Sequence, residues 1–285
     1  WGRRFETPVM VASGTGGFGL ELRDMGCLDG VACIVTKATT LTPRPGNDPP
    51  RVCETRFGLL NSIGLANPGV EEVVGRVLPA LQGIGCGIIV NVAGDTCEEF
   101  GRVAAELDRS PVPLGYEINV SCPNVESGMV FGVDPRQVER VALTVREATS
   151  RPFSVKLTPN GGDMAECAAA AAEAGADAVT VCNTFLGMRL DWRTGRPVLP
   201  RGTGGYSSPA LLPLVVARVH QVSRSVDIPV IASGGVWCGE DLLELLSAGA
   251  VMVEVGTLVM RDPWSPSRLV REAAELLEAA GRGPV

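Results

Sequence analysis

The sequence predicts a single (β/α)8 barrel, and three observations carry the prediction. Eight short apolar segments recur along the chain, each followed by a segment with helical patterning. The segments are apolar almost throughout, as parallel strands buried on both faces are, and do not alternate between apolar and polar. A length of 285 residues suits one such barrel, typically about 250 residues, with insertions. An open doubly wound sheet is the alternative, but eight units favour closure.

The strand segments are 8–12, 31–37, 87–92, 116–121, 153–157, 178–182, 229–233 and 251–255. They are rich in Val and Ile, whose branched side chains suit a pleated, buried surface. Helical patterns fall near 20–27, 71–83, 97–108, 135–149, 163–174, 209–225 and 239–247, and a last one at 266–280 ends the alternation. Residues 1–285 thus form one domain, with no linker and no low-complexity stretch. Two connections, 38–68 and 183–208, are too long for plain loops. Both follow the carboxyl ends of strands, the face on which such barrels keep their chemistry. The chain opens at Trp1, only seven residues before the first strand, which leaves little sequence to cover the barrel floor.

Composition narrows the function. Hydrophobic residues make up 45% and charged residues 20%, ordinary for a globular protein. A net charge of −7 speaks against a nucleic-acid surface, which needs clustered Lys and Arg. No apolar run reaches the ~18 residues of a membrane span, and the start has no signal-peptide pattern. Nine cysteines contain no Cys-x-x-Cys pair, and the chain has one histidine, His220. Zinc and iron–sulfur spacings are therefore absent, no metal is expected, and the cysteines suit a reduced, cytoplasmic protein.

The chemistry gathers at strand ends. Residues 116–124, Tyr-Glu-Ile-Asn-Val-Ser-Cys-Pro-Asn, read as a strand running into a polar loop. Most single cysteines are buried packing residues, but Ser121, Pro123 and Asn124 are poor company for a core thiol. Cys122, flanked by the amides of Asn119 and Asn124, is a candidate nucleophile or base. Residues 14–19 contain Gly-x-Gly-x-x-Gly after the first strand, yet strand 2 ends in Lys37 where a dinucleotide site needs an acidic residue. Lys37 sits near a strand end, and a cation there suits an anionic ligand. Lys156 lies within an apolar strand, where an unpartnered ammonium costs several kcal/mol. The 61–69 loop, with Asn61 and Asn67, is turn-rich, and Asn61, Asn119, Asn124 and Asn183 offer four amides that both donate and accept. Gly204-Gly205, Gly234-Gly235 and Gly256-Thr257 follow late strands and suit a phosphate.

These motifs together resemble the class 1 dihydroorotate dehydrogenases. The signature Asn-Val-Ser-Cys-Pro-Asn, the Ala12-Ser13-Gly14 start, Thr36-Lys37-Ala38-Thr39, the Asn61…Asn67-Pro-Gly loop, the segment 153–159 around Lys156, and 182–188 all parallel that family. The resemblance implies FMN-dependent oxidation of dihydroorotate to orotate in pyrimidine synthesis, with Cys122 as the base. It implies that Lys37, Asn61, Ile63, Gly64, Leu65, Asn119, Asn124, Asn183 and Thr184 hold the substrate. It also implies that Ala12, Ser13, Lys37, Ala38, Asn91, Asn119, Lys156, Val181, Gly205, Gly234, Gly235, Gly256 and Thr257 hold FMN. The loop 123–134, with Gly128 and Gly132 as hinges, would cover the site. Tyr206, Ser208 and Leu212 depart from the family's usual Leu, Gly and Lys.

Within the family, the Asn-Pro-Gly ending of the 61–69 loop resembles class 1B. That class passes electrons to NAD through a partner subunit carrying FAD and a [2Fe–2S] cluster, around a homodimeric core. Other readings are a dihydropyrimidine dehydrogenase-like reductase, which has His where Asn124 stands, and a tRNA dihydrouridine synthase, which needs a basic face. A barrel that binds phosphate ligands without turnover is the non-enzymatic alternative.

Overall fold

The computed structural model describes residue 1, residues 3–120 and residues 131–283. Its centre is a closed barrel of eight parallel strands: Val9–Val11, Cys33–Val35, Gly87–Val92, Gly115–Asn119, Phe153–Lys156, Ala178–Val181, Val230–Ser233 and Met252–Val255. The first strand closes it, with Val11 beside Val255 on one edge and Met10 beside Cys33 on the other. All eight coincide with the expected segments to within a few residues.

Side chains along each strand alternate between the barrel interior and the helix layer. Val9, Val11, Ile34, Val90, Ile118, Val155, Val179 and Val253 join the large outer core with the helices. Met10, Cys33, Val35, Ile89, Ala178 and Ile231 form a separate cluster, and Trp1 and Phe5 pack against it. The short N-terminal stretch therefore does cover this end, because two aromatic rings supply more area than its length suggests. The outer helices begin on side-chain caps where the sequence offers them. Thr96 accepts from the Glu99 amide at 3.2 Å, and Asp163 accepts from the Ala165 amide at 2.8 Å, caps typically worth about 1 kcal/mol each.

The helix expected over 71–83 is irregular. Val70–Glu72 and Leu78–Ala80 are α-helical, but Val73–Val77 between them is a π-helical turn. Pro79 has no amide to bond the carbonyl four residues back, and the wider turn accommodates that gap.

The two long connections build one structure. Val52–Glu54 and Leu59–Asn61 come from the first, and Phe185–Met188 and Thr203–Ser207 from the second. They pair antiparallel as a four-stranded cap in the order 52–54, 59–61, 203–207, 185–188. The cap has its own small core of Cys53, Leu60 and Leu199. Register sets Asn61 opposite Gly205, so the cap carries one of the expected ligand-binding amides.

Candidate active site

The carboxyl ends of the barrel strands and the cap enclose a cleft of about 410 Å³. Of the residues expected at the site, Ala12, Ser13, Lys37, Ala38, Asn61, Ile63, Gly64, Leu65, Asn119, Lys156, Asn183, Thr184, Gly234, Gly235, Gly256 and Thr257 line it. Cys122, Asn124 and Gly128 lie outside the described residues. Gly132 is buried, and its amide donates to the Val120 carbonyl at 2.9 Å.

The first loop is tied to the second strand. Ser13 donates to the Thr36 carbonyl at 2.9 Å, and the Lys37 amide donates to the Gly17 carbonyl at 2.8 Å. Gly14 and Gly17 take positive φ, at 82° and 58°, which a turn this tight requires. The Gly-x-Gly-x-x-Gly run thus serves a strand-end turn, consistent with the missing acidic partner. Lys37 sits with its ammonium 6.0 Å from the centre of the Phe18 ring. Burial, then the nearby Arg51, push its pKa below the ordinary lysine range, against a smaller opposing pull from Glu21.

The 61–69 loop presents its backbone to the cleft. Gly64 and Leu65 both adopt positive φ, at 70° and 55°, and a left-handed leucine is uncommon enough to mark a constrained functional loop. Buried Asn67 holds the turn by donating to the Thr40 hydroxyl at 2.8 Å and the Leu65 carbonyl at 2.7 Å. Asn61 donates to the Gly205 carbonyl at 3.2 Å. On the opposite wall, Asn183 donates to the side-chain oxygen of Asn119 at 3.2 Å. Asn160, which the sequence reading passed over, steadies this wall. It donates to the Thr184 carbonyl at 2.9 Å and accepts from the Leu186 amide at 2.7 Å.

Three expected residues sit differently. Gly205 lies mid-strand in the cap, not in a turn after a barrel strand. It is glycine because a Cβ there would fall 2.0 Å from the Thr184 hydroxyl. Asn91 is fully buried inside the barrel and donates to Glu117 at 2.8 Å. Val181 is a barrel-wall residue whose side chain belongs to the outer core. None of the three lines the cleft.

The glycine turns after the seventh and eighth barrel strands line the cleft. Gly234 and Gly235 have φ of 119° and 86°, and a Cβ on Gly235 would meet the Leu212 backbone at 2.5 Å. Thr257 donates to Ser207 at 2.7 Å, joining the last strand's end to the cap. The departing residues are accommodated: Tyr206 lines the cleft, and Ser208 donates to the Phe57 carbonyl at 2.8 Å and caps the Ala210 amide.

At the floor of the cleft, Lys156 reaches Glu254 at 2.6 Å and Glu117 at 3.2 Å. Burial opposes its charge, but the two carboxylates hold its pKa above the ordinary lysine range. Neither glutamate was expected at the site, although each stood out as the one acidic residue in an apolar strand. A second signal lay in the composition. The chain contains two lysines, Lys37 and Lys156, every other cation being arginine, and both line this cleft. Arginine suits the surface pairs, whereas a compact ammonium fits a confined site. The eight cysteines among the described residues are free, and no metal-ligating cluster occurs among them.

The fold and the cleft define a closed parallel barrel whose strand ends carry a cleft lined by lysine, asparagine and glycine, the arrangement of a barrel enzyme. A family model described as dihydroorotate dehydrogenase matches residues 1–277. A relative from Geobacter sulfurreducens, named dihydroorotate dehydrogenase B (NAD(+)), catalytic subunit, is 44% identical over 98% of this chain and 92% of its own length. One of the same name from Bacillus pumilus is 43% identical over 100% of this chain and 92% of its own. The crystal structure of DHODH from Eimeria tenella with ferulenol superposes with a TM-score of 0.83 at 22% identity, covering 98% of this chain and 84% of that one. The chain belongs to the dihydroorotate dehydrogenase family.

Proposed function

We propose that this chain is the catalytic subunit of an NAD-linked dihydroorotate dehydrogenase, oxidising dihydroorotate to orotate with FMN for pyrimidine synthesis. The observation that carries the reading is the convergence of both lysines and three asparagines on one cleft in a chain of this family. The cleft fits FMN. Gly234, Gly235 and Gly256 leave room for a phosphate against backbone amides, the small Ala12 and Ser13 admit a flat ring, and Lys156 supplies a cation at the floor. FMN, when bound, supplies the hydride acceptor.

The protein's own side chains do the rest. Lys37 pairs with the substrate carboxylate. Asn61, Asn119, Asn183 and Asn124, with the backbone of Ile63, Gly64 and Leu65 and with Thr184, satisfy the imide edges of the ring, holding it in one orientation. Cys122 takes the proton from C5 as the C6 hydride departs. Purified protein should show flavin absorbance that bleaches with dihydroorotate. Cys122→Ser should retain FMN and reduce it far more slowly at neutral pH, since a hydroxyl is a much poorer base. Bleaching at wild-type speed in that variant would remove the cysteine from this role.

Assembly with further subunits is part of the same reading. Trp192, Phe57, Leu186 and Met188 are exposed apolar side chains on and beside the cap, and exposed apolar surface can mark an interface. Two copies of the chain would form the core, with an electron-transfer partner carrying FAD and a [2Fe–2S] cluster. No helix among the described residues is long and apolar enough to cross a membrane, and the free thiols suit the cytoplasm.

A further inference from the structure

Inside the barrel, at the floor of the cleft, lies a group of side chains whose arrangement the oxidation itself does not explain. Lys156 on the fifth strand meets Glu117 on the fourth at 3.2 and 3.5 Å and Glu254 on the eighth at 2.6 Å. Asn91 on the third donates to Glu117 at 2.8 Å. The two carboxyl groups thus converge on one and the same ammonium. Glu117 is 1% exposed, Glu254 1% and Lys156 5%.

One ammonium balances one carboxylate. A second ionised carboxylate in this dry interior would leave an uncompensated negative charge, which is costly. Paired carboxyl groups resolve the conflict by holding one proton between them. The hydrogen bonds say where that proton belongs. Glu117 is surrounded by donors, from Asn91 and Lys156. Glu254 Oε1, by contrast, is buried and meets no donor, and neither does Asn91 Oδ1 nearby on the same network. An oxygen buried without a donor is the one best served by carrying a proton itself.

We propose that Glu254 shares a single proton with Glu117 and that this proton, by fixing the charge around Lys156, sets the reduction potential of the flavin held above it. Glu254 is thus a positioning residue for Lys156, and the proposal rests on the FMN reading of the cleft. With the proton in place the cluster is neutral and Lys156 offers its positive end to a reduced, anionic ring. When base removes the proton to solvent, the cluster carries one net negative charge and the reduced ring is disfavoured. Burial, and then Glu117, push the Glu254 pKa up to about 8 despite the counter-pull of Lys156, so the change falls within an accessible range. The strands flanking Glu254, Val9–Val11 and Val230–Ser233, carry no titratable side chain. The other titratable group acting on Lys156 among the described residues is the Cys182 thiol, which burial pushes up to about 12 and so keeps neutral here.

Two measurements test this on the purified chain. Infrared difference spectra of the wild type should contain the carbonyl band of a buried protonated carboxyl, which fades as pH rises through about 8 and is missing in Glu254→Gln. Redox titration should show the wild-type flavin potential falling more steeply across that pH range than the potential of Glu254→Gln, whose amide cannot ionise. Absence of the band from the wild type, or parallel potential curves in the two proteins, overturns the proposal. The infrared arm does not need bound flavin. Protein without flavin but with the band would refute the FMN reading and leave the shared proton standing.

Discussion

Asn183 donates its side-chain amide to Asn119 at 3.2 Å, across the width of an intervening strand. Asn119 ends Gly115–Asn119, Asn183 follows Ala178–Val181, and Phe153–Lys156 runs between them. The bond is possible because both side chains turn inward at the barrel mouth, where non-adjacent strands approach. It orients two amides before any ligand arrives, which lowers the ordering cost of binding.

Replacing Asn183 with Ala should therefore cost twice, removing one ligand contact and loosening the other. A lost hydrogen bond that leaves a polar partner unsatisfied costs about 1–3 kcal/mol. That corresponds to roughly 5- to 150-fold in kcat/KM for dihydroorotate. Steady-state kinetics with an artificial acceptor would measure it, and a loss under twofold would show that Asn183 does not meet the substrate.

Lys37 should give orotate binding a distinctive pH dependence. In the proposed reading its cationic form binds the carboxylate, and burial, with Arg51, lowers its pKa. Affinity should be full at neutral pH and fall as pH rises, beginning below the range of a free lysine, about 10.4. Lys37→Gln should bind orotate weakly at every pH and without that decline. Titrations of orotate against the flavin spectrum at increasing pH distinguish the two, and parallel curves would dissociate Lys37 from the carboxylate.

Gly235→Ala should be damaging where Gly83→Ala is mild. Both glycines have positive φ, 86° and 76°, but a Cβ at Gly83 meets nothing within 4 Å, whereas at Gly235 it strikes the Leu212 backbone. Strain alone costs about 1 kcal/mol or slightly more. The clash should add to this at Gly235 and displace the turn proposed to hold the FMN phosphate. Thermal unfolding and FMN affinity should both drop in Gly235→Ala, and in Gly83→Ala the thermal midpoint alone should shift. Equal FMN affinity in the two variants would separate Gly235 from the phosphate.

The isolated chain should oxidise dihydroorotate with dyes but reduce NAD poorly. Its one Gly-x-Gly-x-x-Gly run is consumed by the turn between the first strand and Leu20–Asp24 and is tied to Lys37. Rapid NAD reduction by the chain alone would sink the NAD-linked partner model, and brisk turnover with fumarate would point to the fumarate-using class instead.

Sequence by itself determined the barrel. Unbroken runs such as Val9–Val11 and Cys33–Val35 can be buried on two faces only between parallel neighbours and helices, so local composition carried the topology. It also determined most of the cleft, because Lys37, Asn119, Lys156 and Asn183 all sit at or beside strand ends, which in a parallel barrel face one way. Tertiary structure alone decided three things. It joined residues 52–61 and 185–207 into one cap, a pairing across more than a hundred residues that no local pattern encodes. It turned Gly205 from an apparent phosphate turn into a close strand crossing. And it brought Glu117 and Glu254 to the same ammonium: each is a single acidic residue in an apolar strand, and only barrel closure makes them neighbours, where charge and burial must be reconciled by a proton.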